Sequence, residues 1–280
     1  MRIDIVTIFP DFFVGPFTHG VLSRAIASNK VTTHIHDLRS YTHDRHRTVD
    51  DRPFGGGEGM VLKPEPIAAC LAEIAITART RRNTAEETVI LLSAQGQPFT
   101  QKLAHELAAT ERLVFICGRY EGVDERVNEI FCDRELSIGD YVLSGGELAT
   151  AVIVDAVVRL LPGVLGNPDS ARYESFGAAD GGAAHLPGDV PPSTHGSGGL
   201  LDYPHYTRPA EFEGHAIPVV LARGDHAEIR RWRRERSLEK TWRNRPDLLQ
   251  NAALSGQDRA YLDSLEAEQT RLMEAKTPTR

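Results

Sequence analysis

The chain has 280 residues, enough for one large domain or two modest ones with a sizeable core. Its 41% hydrophobic and 25% charged residues are those of a soluble globular protein, and no run approaches the ~18 apolar residues of a membrane span. The net charge of −7 argues against a nucleic-acid binder as a whole, while three widely spaced cysteines without a C-x-x-C exclude a disulfide framework or zinc site and fit a reducing cytoplasm.

Residues 3–9 compose a strand ended by Pro10. Asp4 stands where a secretory apolar region would run, so no signal peptide is expected. A helix follows over 17–28 and a strand over 31–36. Residues 41–60 are rich in charge and then in glycine, which predicts a long exposed loop; loops beyond about 12 residues are usually functional or disordered. His43 and His46 have no apparent third partner for a metal. Arg45, Arg47 and Arg52 suit phosphate contact better. The glycine run after Phe54 is not a phosphate-binding P-loop, because no Gly-Lys-Ser/Thr follows it. Pro64 near its start marks a helix over 64–78, then comes an exposed connection over 79–87 and a strand over 89–92. Thr100 is a candidate N-cap for a helix over 100–109.

Three strands in succession end in small loops that contain glycine. Ser93-Ala94-Gln95-Gly96 follows the first, and Gly118-Arg119-Tyr120-Glu121-Gly122 follows the buried run 113–117. The third stretch, 137–147, reads S-I-G-D-Y-V-L-S-G-G-E, with Ile138, Tyr141, Val142 and Leu143 as strand-type residues and Gly139 interrupting them. Gly145 and Gly146 have no Cβ to block a ligand. The apolar run 148–161 then predicts a helix hydrophobic nearly all round, buried within the chain or against a second copy. Alternating strands and helices predict an α/β fold whose mostly parallel sheet is covered on both faces. Ligands of such sheets sit beyond the carboxyl ends of the strands, where three loops can line one pocket.

C-G-R-Y-E-G-V-D-E-R at 117–126, followed by the 137–147 stretch, closely resembles the bacterial tRNA (guanine-N1)-methyltransferases that act at tRNA position 37, a family of the SPOUT class of knotted methyltransferases. The resemblance runs over nearly the whole chain. It implies a deep trefoil knot within 113–161 and a homodimer with shared active sites. It implies S-adenosyl-L-methionine as the methyl donor, held by Ser93, Gly118, Tyr120, Glu121, Ile138, Gly139, Tyr141, Leu143, Gly145 and Gly146. It also implies that the 41–60 loop helps hold the tRNA and the donor. The family's activity is associated with magnesium, though no metal cage is evident here. Rival functions are a related SPOUT enzyme acting on a ribose or another base, and a non-catalytic RNA-binding protein with a degenerate donor pocket.

Composition shifts after Gly163. Residues 177–198 are rich in Gly, Pro and Ala with few large aliphatics, which predicts a disordered linker longer than the family's usual connection. The expected division is therefore a knotted catalytic domain over 1–163, a linker over 164–200 and a C-terminal helical domain over 201–280. Within residues 225–245 seven Arg and one Lys stand against four acids, a local basic patch in an acidic chain. Arg230, Arg231, Arg233, Arg234 and Arg236 crowd one helix there, with Trp232 and Trp242 nearby, which points to RNA phosphates of the anticodon stem-loop. The family places a catalytic acid in an Asp-Ser-Phe motif before the linker and a second in Leu-Leu-Asp after it. Here the first reads Glu174-Ser175-Phe176, one methylene longer, and the second supplies Asp202. Either carboxylate is a candidate base for guanine N1, and Arg159 matches the family's cation for guanine O6.

Overall fold

The structure is a computed structural model, and it describes residues 1–166, 174–176 and 198–276. The chain divides into two compact units, Met1–Gly166 and Asn167–Arg280.

The first unit alternates strands and helices. In chain order they are β1 (Arg2–Thr7), α1 (Val14–Phe17), α2 (Gly20–Ala27), β2 (Thr32–Asp37), β3 (Asp50–Asp51), β4 (Val61–Leu62), α3 (Pro64–Glu73), β5 (Glu87–Pro98), α4 (Gln101–Ala108), β6 (Arg112–Cys117), α5 (Glu125–Phe131), β7 (Arg134–Ser137) and α6 (Glu147–Val158). One sheet runs β2-β1-β6-β5-β7, with every neighbouring pair parallel. Strand periodicity divides the core between its two faces. Leu113, Phe115 and Cys117 of β6 join α2, α4 and α6 on one face, while Val114 and Ile116 join α3 and α5 on the other. Burying each such large side chain contributes roughly 2 kcal/mol.

Local signals set the ends of several elements. Thr100 caps α4 as expected, its Oγ1 accepting the Leu103 N–H at 3.3 Å. Asp124 caps α5 by accepting the Arg126 N–H at 3.0 Å. Helix α3 stops at Glu73 rather than 78, because Ala75 turns into the left-handed region at φ +63° and Ile76 returns to the core. The expected 41–60 loop is partly structured, since the short β3–β4 pair closes it and Val49 is buried.

Two further corrections concern the third glycine-bearing stretch. The strand there is β7, just upstream, and Ile138, Tyr141, Val142 and Leu143 lie in the loop that follows it. Gly139, at φ +151°, departs from strand geometry, and Tyr141 and Val142 stand out to solvent. Helix α6 is also not covered all round: Ile153, Val154, Val157 and Val158 are buried, whereas Leu148 and Val152 are about half exposed on the opposite stripe.

The second unit holds a short antiparallel pair, β8 (Glu211–Phe212) and β9 (His215–Ala216), then α7 (Val219–Ala222), α8 (His226–Asn244) and α9 (Gly256–Lys276). Asp225 caps α8 by accepting the Ala227 and Glu228 N–H groups. A small core of Leu200, Leu238 and Leu262, with Trp242 and Leu265, joins α8, α9 and the segment before them. The linker expected over 177–198 lies outside the described residues except for Gly198.

Candidate active site

The carboxyl ends of β5, β6 and β7 carry the three glycine-bearing loops. Pairing between β5 and β7 stops at Leu92 and resumes at Gln97, so residues 93–96 bulge out of the strand. With the loops after β6 and β7 they surround a cavity of about 460 Å³, within the range usual for small-molecule sites. All ten residues expected to hold the donor line it: Ser93, Gly118, Tyr120, Glu121, Ile138, Gly139, Tyr141, Leu143, Gly145 and Gly146. Leu91, Leu92 and Ala149 add apolar wall. Glu121, Glu125 and Glu135 contribute carboxylates against the single guanidinium of Arg119, so the lining is acidic. Tyr120 adopts φ +59° and leaves its ring half exposed; such strain in a bulky residue costs ~1–3 kcal/mol and persists where surrounding structure enforces it.

A buried polar network supports this cavity, and sequence reading did not pick it out. Glu147, at the start of α6, is 1% exposed. Its Oε1 accepts the Thr7 hydroxyl at 2.8 Å, and its Oε2 accepts the Arg119 Nε at 3.0 Å. Another arm of Arg119 donates to the Ser144 carbonyl at 3.0 Å, and its guanidinium lies 4.5 Å from the centre of the Phe9 ring. The signal was an acid opening an otherwise apolar helix, whose partners come from loops distant in sequence.

The space beside Gly145 and Gly146 is occupied by the protein's own atoms. A Cβ on Gly145 would collide with the Arg119 side chain and stand 2.6 Å from Glu147 Oε2. One on Gly146 would lie 2.9 Å from the Cys117 Cα. The protein's own atoms fill these places, and the Gly146 N–H donates to the Gly118 carbonyl at 2.9 Å. Burial pushes the neighbouring Cys117 thiol well above its usual range, so it stays neutral beside the Thr150 hydroxyl, 3.3 Å away.

Arg159 ends α6 in the first unit, and Arg45, Arg47 and Arg52 are exposed on the 41–60 excursion. The two candidate acids belong to the second unit. There the Asp202 N–H donates to Ser175 Oγ at 2.9 Å, and the Phe176 N–H donates to the Leu200 carbonyl at 3.0 Å. The 174–176 motif, which contains Glu174, is thus bonded to the segment bearing Asp202. Asp202 Oδ1 accepts the Tyr203 N–H at 2.8 Å, and Oδ2 lies 2.9 Å from His205 Nε2. Tyr203 stacks under Arg233 of α8 at 4.9 Å, and Tyr206 meets Trp232 at 6.2 Å.

The arginine row on α8 needs one correction. Arg230 and Arg231 are exposed and Arg233 is partly so, but Arg234 is buried. It forms a two-pronged ion pair with Asp258, at 3.0 Å on each arm, and donates to the Ala253 carbonyl. Burial alone would push the Asp258 carboxyl up; the hydrogen bonds from Arg234 and Ser255 outweigh it and hold the group below its usual value. Helical geometry explains the difference: four arginines within five residues necessarily point to different faces. Among the described residues no group of three or more His, Cys, Asp or Glu could hold a metal ion, and no helix is long and apolar enough to cross a membrane.

Comparison with known proteins gives a consistent result. The sequence profile of the family described as tRNA (Guanine-1)-methyltransferase TrmD matches residues 1–251. A tRNA (guanine-N(1)-)-methyltransferase of Koribacter versatilis is 61% identical over 267 residues, covering 95% of this chain and 99% of the relative. Similarly named proteins of Geobacter sulfurreducens and Geobacter metallireducens are 50% and 48% identical, each over at least 95% of this chain and 98% of their own length.

Proposed function

The chain belongs to the tRNA (guanine-1)-methyltransferase family and is an enzyme of that activity, and from this premise we propose that it transfers the methyl group of S-adenosyl-L-methionine to N1 of guanosine 37. The observation that carries the donor assignment is the convergence of all ten expected residues on one cavity. The lining suits that molecule. Leu92, Ile138 and Leu143 offer apolar surface for a purine, loop main chain offers hydrogen bonds to its edge, and three carboxylates suit the positive charge of a sulfonium. Bound there, the donor would supply an electrophilic methyl group. We assign the deep trefoil knot to the 113–161 region, on the family's pattern.

Guanine N1 carries a proton at neutral pH and is a poor nucleophile until that proton leaves. Glu174 is the proposed base, with Asp202 as the alternative or as its positioning partner. Arg159 is the proposed cation that stabilises negative charge developing on O6. The proton would end on the carboxylate, and the freed N1 lone pair would form the new bond to the methyl carbon as the donor's carbon–sulfur bond breaks, its electron pair staying on sulfur in the departing thioether.

The first unit is proposed to bind the donor and the second to hold the anticodon stem-loop through Arg230, Arg231 and Arg233, with Arg45, Arg47 and Arg52 contributing from the first. The half-exposed Leu148 and Val152 on α6 support a homodimer. The cytoplasm is the proposed compartment. Methyl transfer to otherwise identical tRNA transcripts carrying guanosine or adenosine at position 37 tests the function. Methylation only of the guanosine transcript is expected, and equal methylation of both would overturn the assignment.

A further inference from the structure

Asp202 is held at three points. Its main-chain N–H is tied to Ser175, Oδ1 accepts the Tyr203 N–H, and Oδ2 lies 2.9 Å from His205 Nε2. The first two bonds are local and fix the backbone and one oxygen. The third comes from a side chain and sets the rotation of the carboxylate. We propose that His205 is a positioning residue for Asp202: with its proton on Nε2 it donates to Oδ2 and fixes the direction in which the carboxylate faces. This rests on the proposed part of Asp202 in removing the guanine N1 proton.

The His205 side chain is 65% exposed, yet its orientation is set by its neighbours. The ring packs against Tyr203 with centroids 4.5 Å apart, so the imidazole is oriented before it meets the carboxylate. Tyr203 is in turn covered by Arg233. Among the hydrogen bonds to the Asp202 side chain, the one from His205 is the one that a substitution can delete without altering the main chain.

The test compares His205→Phe, which keeps a ring on Tyr203 but has no donor, with His205→Gln, whose amide can still donate to Asp202. Single-turnover methyl transfer is measured on the full-length enzyme, with donor and tRNA affinities. His205→Phe is expected to lose about ten- to a hundredfold in the methyl-transfer rate. Both affinities should stay nearly unchanged. His205→Gln should retain most of the rate. Should His205→Phe fail to fold, His205→Ala supplies the same comparison. A wild-type rate in His205→Phe would overturn the proposal, and so would equal losses in the Phe and Gln variants. Combined with Asp202→Asn, the His205 change should add no further loss, and additive losses also overturn it. If Asp202→Asn alone turns over normally, the underlying role of Asp202 has failed and the proposal falls with it.

Discussion

The main-chain N–H of Asp202 donates to the hydroxyl of Ser175 at 2.9 Å, across 27 positions of sequence. With the Phe176–Leu200 bond beside it, this link places the two acid-bearing motifs on one local frame despite the intervening insertion. The glutamate at 174 is one methylene longer than the aspartate of the family pattern, so its carboxylate reaches further from that frame. Glu174→Gln keeps the shape and removes the base. It should retain donor and tRNA binding but lose about a hundredfold or more in methyl-transfer rate. Normal turnover in that variant with a dead Asp202→Asn would move the base to Asp202.

Gly145→Val should abolish donor binding, measured by titration calorimetry, while the fold persists by circular dichroism. The added side chain displaces Arg119 from Glu147, which supports the 144–146 wall of the cavity. Unchanged donor affinity would remove this loop from the donor site.

Arg234→Ala should destabilise the second unit by roughly 3–5 kcal/mol, because it strands the buried Asp258 carboxylate. Arg230→Ala/Arg231→Ala should instead leave the melting temperature nearly unchanged. It should weaken tRNA binding and reduce the salt dependence of that binding by about two phosphate contacts. Loss of RNA affinity at full stability in the Arg234 variant would return that residue to the RNA-facing set.

Asp4 is buried within β1, where burial alone would raise its pKa, but hydrogen bonds from His36, Arg2 and Arg112 outweigh it and hold the carboxyl far below its usual range. A carboxyl depressed in the folded state contributes stability that is fully present above its unfolded pKa of about 4. That contribution is lost as pH falls below this value towards the folded pKa. Asp4→Asn should therefore lower the melting temperature at pH 7 and flatten its decline between about pH 4 and pH 2. An unchanged acid limb would show that other carboxylates control acid unfolding.

Val152→Arg should shift the protein towards monomer in sedimentation, since it places a charge on the exposed apolar stripe of α6. A wild-type sedimentation coefficient would exclude this stripe as the subunit contact.

Most of the parallel sheet was legible in the sequence, because continuous apolar runs such as 113–117 and glycine at the following turns are local signals. That the three glycine-bearing loops line one cavity was also legible, since their motifs are long and the loops all leave the carboxyl ends of neighbouring strands. What only the tertiary structure decided depended on partners distant in the chain. Arg234 differs from Arg230 and Arg231 because Asp258 faces it from α9, and arginine side chains of identical chemistry carry no local mark of that. Glu147 could be read as the first residue of a helix, but its bonds to Thr7 and Arg119 exist only once β1, β6 and α6 come together. Likewise, glycine at 145 and 146 could be recognised as required from sequence, but that the required space belongs to Arg119 and Cys117 follows from close packing of the folded chain.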